Sequence, residues 1–197
     1  MDANSRHQVI KRLQTDLPRG APFDLTTLAP LGVSAQLAAR YAESGWLVRL
    51  AHGVYAFPND DFGVYGALKF LQRRVPGLHV GGKSALALQG VRHNLGSRDT
   101  LVLWGDARFE LPAWFTSRFP ARYVYARLFD WPEDMMDNKT VATPPGLPDG
   151  LRASCSERAV LELLYDAGTK QSLEEARNLF DRLEEHTSEL QSPCNLV

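Results

Sequence analysis

The segment SAQLAARYAESGWLVRLAHGVYAF, residues 34–57, decides the fold of this chain. Its first half places apolar residues at helical spacing behind a serine that is suited to an N-cap. The serine is Ser34, and the apolar residues are Leu37, Ala38, Tyr41 and Ala42. The second half contains two β-rich runs separated by Ala51-His52-Gly53, and a glycine between such runs signals a hairpin. The segment therefore predicts a helix that is followed at once by a β-hairpin.

Two more helices are predicted before this segment. The first runs over about residues 4–15 and is ended by Pro18-Arg19-Gly20. Asp24 can cap the second, which Gly32 closes because glycine tolerates the positive φ that often follows a helix. Three helices and a hairpin in this order are typical of a winged helix-turn-helix. We predict such a DNA-binding domain over residues 1–58.

In a winged helix-turn-helix, the third helix enters the major groove of double-stranded DNA, where each base pair displays a distinct hydrogen-bonding pattern. Gln36 and Arg40 lie one turn apart on the side opposite the apolar residues, and these side chains can pair with adenine and guanine. Arg49 and His52 on the hairpin suit contact with phosphate or the minor groove. The predicted DNA-binding residues are Ser34, Ala35, Gln36, Ala39, Arg40, Arg49 and His52.

The rest of the chain predicts a mixed α/β domain over residues 59–183. Periodicity indicates helices over residues 62–74, 84–89 and 113–119, and strands over residues 78–80, 100–104, 123–128 and 139–143. After a Pro/Gly-rich linker, Ser154 and Ser172 each begin a capping-box pattern. These two patterns predict a terminal helical hairpin, and the fold class of the whole chain is predicted to be α+β.

The composition limits the classes of protein to which this chain can belong. With 44% hydrophobic residues and 10% aromatics in 197 residues, the chain can bury a core and is not intrinsically disordered. No stretch is apolar enough to span a membrane, and two cysteines provide neither a disulfide framework nor a zinc site. These features predict a cytoplasmic protein. Its net charge is −1, but residues 1–58 alone carry +2, so the total does not exclude a nucleic-acid partner.

The sequence of the last residues predicts that they are not part of the native protein. Residues 184–192, EEHTSELQS, look like the translation of a common sequencing adapter, and such segments are excluded from reasoning about the fold. We therefore treat residues 184–197 as an adapter-derived tail and expect the native sequence to differ after Leu183. Without that tail, the net charge becomes +2.

One motif predicts a competing function. Residues 77–84, GLHVGGKS, satisfy the pattern of a phosphate-binding P-loop. A working P-loop needs a buried strand before its first glycine, whereas a basic helix that ends at Pro76 precedes Gly77. Nucleotide binding through Gly77–Ser84 is retained as an alternative, as is a winged-helix module that docks onto proteins without affinity for DNA.

The remaining polar residues form no pattern that indicates catalysis. His52, His79 and His93 are scattered, and no Ser/His/Asp or Cys/His arrangement is present. The acidic residues Asp130, Glu133, Asp134 and Asp137 are typical of a solvated loop. We predict that the protein is not an enzyme and has no cofactor and no metal site.

Three segments carry a resemblance to a known family. They are residues 45–56 (GWLVRLAHGVYA), residues 79–93 (HVGGKSALALQGVRH) and residues 154–164 (SCSERAVLELL). In order and spacing, they resemble the AbiEi antitoxins of bacterial type IV toxin–antitoxin systems, which belong to the abortive infection systems. The likeness covers about residues 5–183.

The resemblance implies a DNA-binding transcriptional repressor that acts on the promoter of its own operon, where inverted repeats are expected. It implies an N-terminal winged helix and a C-terminal antitoxin domain. The partner would be a nucleotidyltransferase-like toxin, whose effect the antitoxin opposes with or without direct contact. Antitoxicity would then depend on residues 81–93 and on the helices of residues 154–183.

Overall fold

The computed structural model describes residues 3–17, 19–91, 100–129, 140–170 and 172–191. The chain divides into two compact units. The first unit is Met1–Leu71 with Pro112–Phe115, and the second unit is Gln72–Leu111 with Thr116–Val197. Helices and β-sheets occur together in the structure, which confirms the predicted α+β class.

The described part of the first unit contains short helices and a small antiparallel sheet of order β1-β3-β2. Its helices are α1 (Ala3–Asp16), α2 (Leu25–Leu28) and α3 (Ala35–Glu43), and its strands are β1 (Phe23–Asp24), β2 (Val48–Ala51) and β3 (Val54–Ala56). A 3₁₀ turn, Ala29–Leu31, lies between α2 and α3. Helix α4 (Val64–Arg74) follows in the chain and spans the division between the units.

Strand β1 was not predicted. Phe23 pairs with Tyr55 and Asp24 pairs with Val54, so the strand extends the hairpin into a three-stranded sheet. Two residues are too few for the alternation of apolar and polar side chains that reveals a strand in a sequence. Phe23 is buried, and its ring centroid lies 5.2 Å from that of Phe57.

The ends of the short helices follow the predicted signals. Asp24 Oδ1 accepts a hydrogen bond of 3.1 Å from Thr27 N at the start of α2, and Gly32 has the left-handed φ of 79° after the 3₁₀ turn. Both predictions are confirmed. The helices and the sheet enclose an apolar core formed by Leu13, Leu17, Phe23, Leu28, Val33, Ala38, Tyr41, Leu47, Tyr55 and Phe57.

The second unit is built around a mixed sheet of order β6-β5-β4-β8-β7. The strands are β4 (His79–Val80), β5 (Leu101–Gly105), β6 (Ala121–Tyr125), β7 (Val141–Ala142) and β8 (Ala153–Ser154). The helices that follow α4 are α5 (Gly82–Leu88), α6 (Ala113–Thr116), α7 (Ser156–Asp166) and α8 (Leu173–Gln191), and α6 contributes residues to both units. Strands β5 and β6 are parallel, as are β4 and β8.

The predicted helices and strands of this part of the chain occur in the predicted order, but strand β8 was not predicted and several bounds differ. Strand β6 begins at Ala121 and ends at Tyr125, whereas the predicted strand covered residues 123–128. The parallel register explains the difference, because Leu101–Gly105 pairs residue for residue with Ala121–Tyr125 along this side of the strand. Pairing with a neighbouring strand, rather than local composition, sets these ends.

The predicted start of α7 is wrong. Ser154 belongs to strand β8, where it pairs with Val141, and the N-cap position is taken by Cys155, whose side chain makes no capping bond. The Ser154 hydroxyl instead donates a 2.8 Å hydrogen bond to Glu162 Oε2. The second capping serine is correctly predicted, since Ser172 Oγ accepts a 3.0 Å hydrogen bond from Glu175 N.

Helix α8 continues to Gln191, and residues 192–197 of the predicted tail lie outside the described residues. Within the part of the chain that the structure describes, no helix has both the length and the apolar character that a membrane crossing requires.

Candidate functional site

Helix α3 begins at the residue that the sequence predicted. Ser34 has an extended backbone, with φ −72° and ψ 163°, and its Oγ accepts a 3.3 Å hydrogen bond from Leu37 N. This cap satisfies one of the amides that an α-helix leaves unpaired at its start. The first turn of α3 is thereby fixed, and with it the direction in which each later side chain points.

The two faces of α3 differ sharply in burial. Ala38 is fully buried and Tyr41 nearly so, which anchors one face in the core of the first unit. The exposed side chains on and beside the other face are Ser34, Ala35, Gln36, Arg40 and Glu43. Ala39 is half-buried, so it is less accessible than the sequence suggested. Gln36 and Arg40 are one helical turn apart on the exposed side.

The hairpin is tied directly to the end of α3. The amides of Trp46 and Leu47 both donate to Tyr41 O, over 2.9 and 3.1 Å. Leu47 is buried, while Trp46 remains 46% exposed. Because these bonds close the chain immediately after the helix, the hairpin strands leave from a defined point.

The basic residues of the hairpin are exposed. Arg49 lies on β2, next to a register shift between Arg49 and Ala51, and His52 lies at the turn. The adjacent Gly53 has φ 70°, a conformation that favours glycine, so the two-residue turn fits the signal in the sequence. Arg40 on α3 and Arg49 and His52 on the hairpin are thus all accessible on the first unit.

The P-loop-like segment has internal partners for the groups that would bind phosphate. Gly82 N donates to Glu162 Oε2 over 2.9 Å, and Lys83 Nζ lies 3.1 Å from Glu175 Oε1. Ser84 Oγ accepts from Val102 N over 2.9 Å. Strand β4 lies inside the motif, where a P-loop requires a free loop. The geometry therefore does not support nucleotide binding through the P-loop pattern of Gly77–Ser84.

A buried carboxylate organises the polar groups of the second unit. Glu162 is fully buried on α7 and accepts four hydrogen bonds. The donors are His79 Nε2 at 2.9 Å, Arg158 Nε at 2.8 Å, Gly82 N at 2.9 Å and Ser154 Oγ at 2.8 Å. Desolvation by burial would by itself raise the pKa of Glu162, but the hydrogen bond and charge of His79 and the hydrogen bonds from Arg158 and Gly82 together outweigh it. The pKa is consequently lowered from its ordinary value of 4.5.

His79 faces an acceptor on each side of its ring. Its Nδ1 lies 2.7 Å from Gly77 O, and its Nε2 lies 2.9 Å from Glu162 Oε1. Both contacts are hydrogen bonds only when both ring nitrogens carry protons, because a carbonyl and an ionised carboxylate can only accept. The carboxylate of Glu162 thus lies against both the His79 ring and the Arg158 guanidinium.

Metal and nucleophilic chemistry have little support among the described residues. No group of three or more His, Cys, Asp or Glu side chains is placed to hold a metal ion there. Burial raises the pKa of the Cys155 thiol, which disfavours the reactive thiolate. His93 and the acidic residues Asp130, Glu133, Asp134 and Asp137 lie outside the described residues.

Two family models match the chain, and together they cover most of it. Residues 6–97 match the family described as "Transcriptional regulator, AbiEi antitoxin N-terminal domain", and residues 98–190 match "Transcriptional regulator, AbiEi antitoxin, Type IV TA system". This chain belongs to the AbiEi antitoxin family. The predicted family is therefore confirmed, and the family is one of transcriptional regulators of type IV toxin–antitoxin systems.

A solved structure resembles this AbiEi chain. The RV2827C protein from Mycobacterium tuberculosis aligns with a TM-score of 0.51 and 20% sequence identity, over 83% of this chain. The chain spans 61% of the length of that protein, so the similarity supports a common fold only. None of the curated proteins compared with the chain matches it.

The buried cluster was missed by sequence reasoning, although the sequence contains a signal for it. Glu162 occupies the apolar face of α7, with buried Ala159 and Leu163 beside it, and Arg158 precedes it by one turn. An acidic residue at a core position with a basic residue at i−4 indicates a buried ion pair. The contributions of His79 and Gly82 come from 80 or more residues away, and no local pattern reveals them.

Proposed function

We propose that this AbiEi chain is a DNA-binding repressor of its own type IV toxin–antitoxin operon and the antitoxin of that operon. In this proposal, residues 1–58 form a winged helix-turn-helix, with α3 as the recognition helix and the β2–β3 hairpin as the wing. Residues 59–183 form the antitoxin domain, which ends in a hairpin of α7 and the part of α8 before residue 184. The protein acts by binding rather than by catalysis and resides in the cytoplasm.

The observation that carries the proposal is the exposed face of α3 next to a basic hairpin. Gln36 can pair with adenine and Arg40 with guanine, each through two hydrogen bonds. The side chain of Ala35 is small enough for the helix to approach the bases. Arg49 and His52 would contact phosphates or the minor groove, and Ser34 lies at the helix start, where amides attract phosphate.

The distribution of charge supports the same surface. Residues 1–58 carry a net charge of +2, although the whole chain is close to neutral. Basic residues concentrated in the predicted DNA-binding region favour contact with the phosphate backbone. The target is double-stranded DNA of the promoter, read through inverted repeats if two copies bind together.

Gel-shift experiments with the promoter of the chain's own operon test the DNA-binding part. We expect Arg40→Ala and Gln36→Ala each to lower affinity for the promoter about tenfold or more, because each removes a base contact worth about 1–3 kcal/mol. Arg177→Ala, which removes an exposed arginine of α8, is the matched control and should bind normally. Equal affinity of the wild type for promoter and random DNA would refute sequence-specific repression.

Growth assays test the antitoxin part. Expression of the neighbouring nucleotidyltransferase-like toxin should arrest growth, and co-expression of this chain should restore it. With both genes under foreign promoters, Arg40→Ala should still protect, because repression of the operon is then irrelevant. Failure of the wild-type chain to protect under these conditions would refute the antitoxin assignment without affecting the DNA-binding one.

One observation favours the alternative of a docking module. Trp46, just before the hairpin, and Val48, on its first strand, are large apolar residues that are 46% and 43% exposed. Exposed aromatic residues often anchor protein contacts. Two results together would favour a protein-docking module over a DNA-binding repressor. Trp46→Ala would abolish protection in the growth assay, and the wild type would show no preference for promoter DNA.

A further inference from the structure

A cleft opens at one edge of the sheet in the second unit. Strands β5 and β6 run parallel and end side by side at Gly105 and Tyr125. The residues that follow them, Asp106 and Arg127, line the cleft. In sheets with parallel strands, ligands bind preferentially in the crevice outside the carboxyl ends of those strands.

The neighbouring strands bring their opposite ends to the same edge. Strand β4 is antiparallel to β5, with His79 opposite Trp104, so the residues before β4 reach the cleft as well. Gly77 and His79 line it there. Strand β8 is parallel to β4, and Arg152, the residue just before β8, lines the cleft from that side.

The charges around the cleft are predominantly positive. Arg127, Arg152 and Arg158 line it, and Asp106 is the one carboxylate among its described lining residues. Arg158 is held in one orientation, because its Nε donates to Glu162 and its Nη1 donates to Thr140 Oγ1. The three arginines come from a loop, a strand end and a helix, so their convergence depends on the tertiary fold.

The remaining lining defines the kind of ligand. The cleft has a volume of about 350 Å³, which lies within the range of about 300–1,000 Å³ for small-molecule sites. Apolar side chains lie beside the arginines, namely Pro76, Ala126, Leu128 and Val141. Asp106 can accept hydrogen bonds from ligand hydroxyl or amino groups. An arginine-rich end recognises phosphate, and an apolar portion suits a flat, weakly polar ring.

We propose that this cleft binds a small phosphorylated ligand of the mononucleotide class. The phosphate would contact the arginines, the ring would pack against the apolar side chains, and Asp106 would accept a hydrogen bond from the sugar. This site differs from the P-loop reading, because Gly82, Lys83 and Ser84 are not among the residues that line the cleft. It also lies entirely within the second unit and does not include the proposed DNA-binding surface.

Isothermal titration calorimetry of the full chain with AMP, UMP, adenosine and orthophosphate tests the site. We expect AMP or UMP to bind at one site and adenosine to bind at least tenfold more weakly. Arg127→Ala and Arg152→Ala should each weaken nucleotide binding about ten- to hundredfold, as expected for the loss of a charge-assisted hydrogen bond. Arg177→Ala, Arg40→Ala and Lys83→Ala should bind like the wild type.

The controls separate the proposal from its competitors. Arg127→Lys keeps the charge but loses the two-pronged donor, so its loss should be smaller than that of Arg127→Ala, and thermal melts show whether each variant is folded. Absence of AMP and UMP binding at millimolar concentration would overturn the proposal, as would binding that Arg127→Ala and Arg152→Ala leave intact. Loss of nucleotide binding in Arg40→Ala would place the nucleotide on the first unit instead. Loss of binding in Lys83→Ala would favour binding through the P-loop pattern. Orthophosphate binding as tight as that of AMP would exclude recognition of the ring.

Discussion

Replacing Glu162 by glutamine should destabilise the second unit severely. The change keeps the size of the side chain but removes the negative charge that faces His79 and Arg158. Each carboxylate oxygen accepts two hydrogen bonds, His79 and Arg158 on Oε1 and Gly82 and Ser154 on Oε2. The glutamine amide can replace only one of these oxygens as an acceptor, so its NH₂ group must face two donors.

The size of the effect follows from these contacts. Removing one partner of a buried ion pair costs about 3–5 kcal/mol, because a charge is left buried without compensation. Two unpaired donors at about 1–3 kcal/mol each give a similar figure. Since a domain is stable by only about 5–15 kcal/mol, we expect Glu162→Gln to lose about 3–5 kcal/mol of the free energy of unfolding, a large share of the total.

Urea unfolding followed by far-UV circular dichroism measures this loss. With a slope of about 1–3 kcal/mol per molar urea, the midpoint of the affected transition should fall by more than about 1 M. Glu157→Gln on the same helix is the matched control, because Glu157 is exposed, and it should change stability by less than about 1 kcal/mol. A Glu162→Gln midpoint within 0.3 M of the wild type, a margin of about 1 kcal/mol or less, would refute the view that this carboxylate holds the cluster together.

The same cluster, a glycine beside it and the cap of α3 yield three further predictions. Because the pKa of Glu162 is lowered in the folded protein, its contribution to stability is fully present above the ordinary value of 4.5 and is lost as the pH falls through the lower folded value. Urea midpoints between pH 6 and 3 should therefore fall more steeply in the wild type than in Glu162→Gln. Gly81→Ala should cost about 1–3 kcal/mol, since its Cβ would clash with Glu162 Oε2, whereas the Cβ of Gly63→Ala meets nothing within 4 Å and that variant should unfold like the wild type. Ser34→Ala should cost about 0.5–2 kcal/mol in chemical unfolding through loss of the cap of α3, and an unchanged midpoint would contradict that role.

The helix caps and turns of the first unit were predicted well because their signals are local. The caps Asp24 and Ser34 and the positive φ of Gly32 and Gly53 each depend on residues within four positions. Such short-range chemistry can be read from the sequence directly. Strand β1 was not predicted, because Phe23 and Asp24 form a strand only through pairing with residues about 30 positions away.

The second unit was predicted less well because its sheet joins distant segments. Strand β8 was missed since Ala153 pairs with Val80 on one side and Ala142 on the other, while Ser154 resembles a helix cap locally. The cleft could not be predicted from local sequence, because Gly77, Arg127 and Arg152 come together only after the sheet has formed. The DNA-binding residues and the adapter origin of residues 184–197 stay predictions, and resequencing the gene across the codon of Leu183 tests the latter.

The amides and glycines of a P-loop pattern can bind an anion that comes either from a ligand or from the chain itself. In nucleotide-binding proteins, amides at the start of a helix attract phosphate, and glycines allow the phosphate to approach the backbone. Here Gly82 N, at the start of α5, donates to Glu162, and Gly81 leaves space that a side chain would fill. The chain thus supplies its own anion from α7, and the carboxylate of Glu162 also contacts His79 Nε2. The glycine at position 81 is explained by the close approach of this carboxylate and of the Trp104 ring, and a nucleotide in the same place would have to displace a fully buried side chain with four hydrogen bonds.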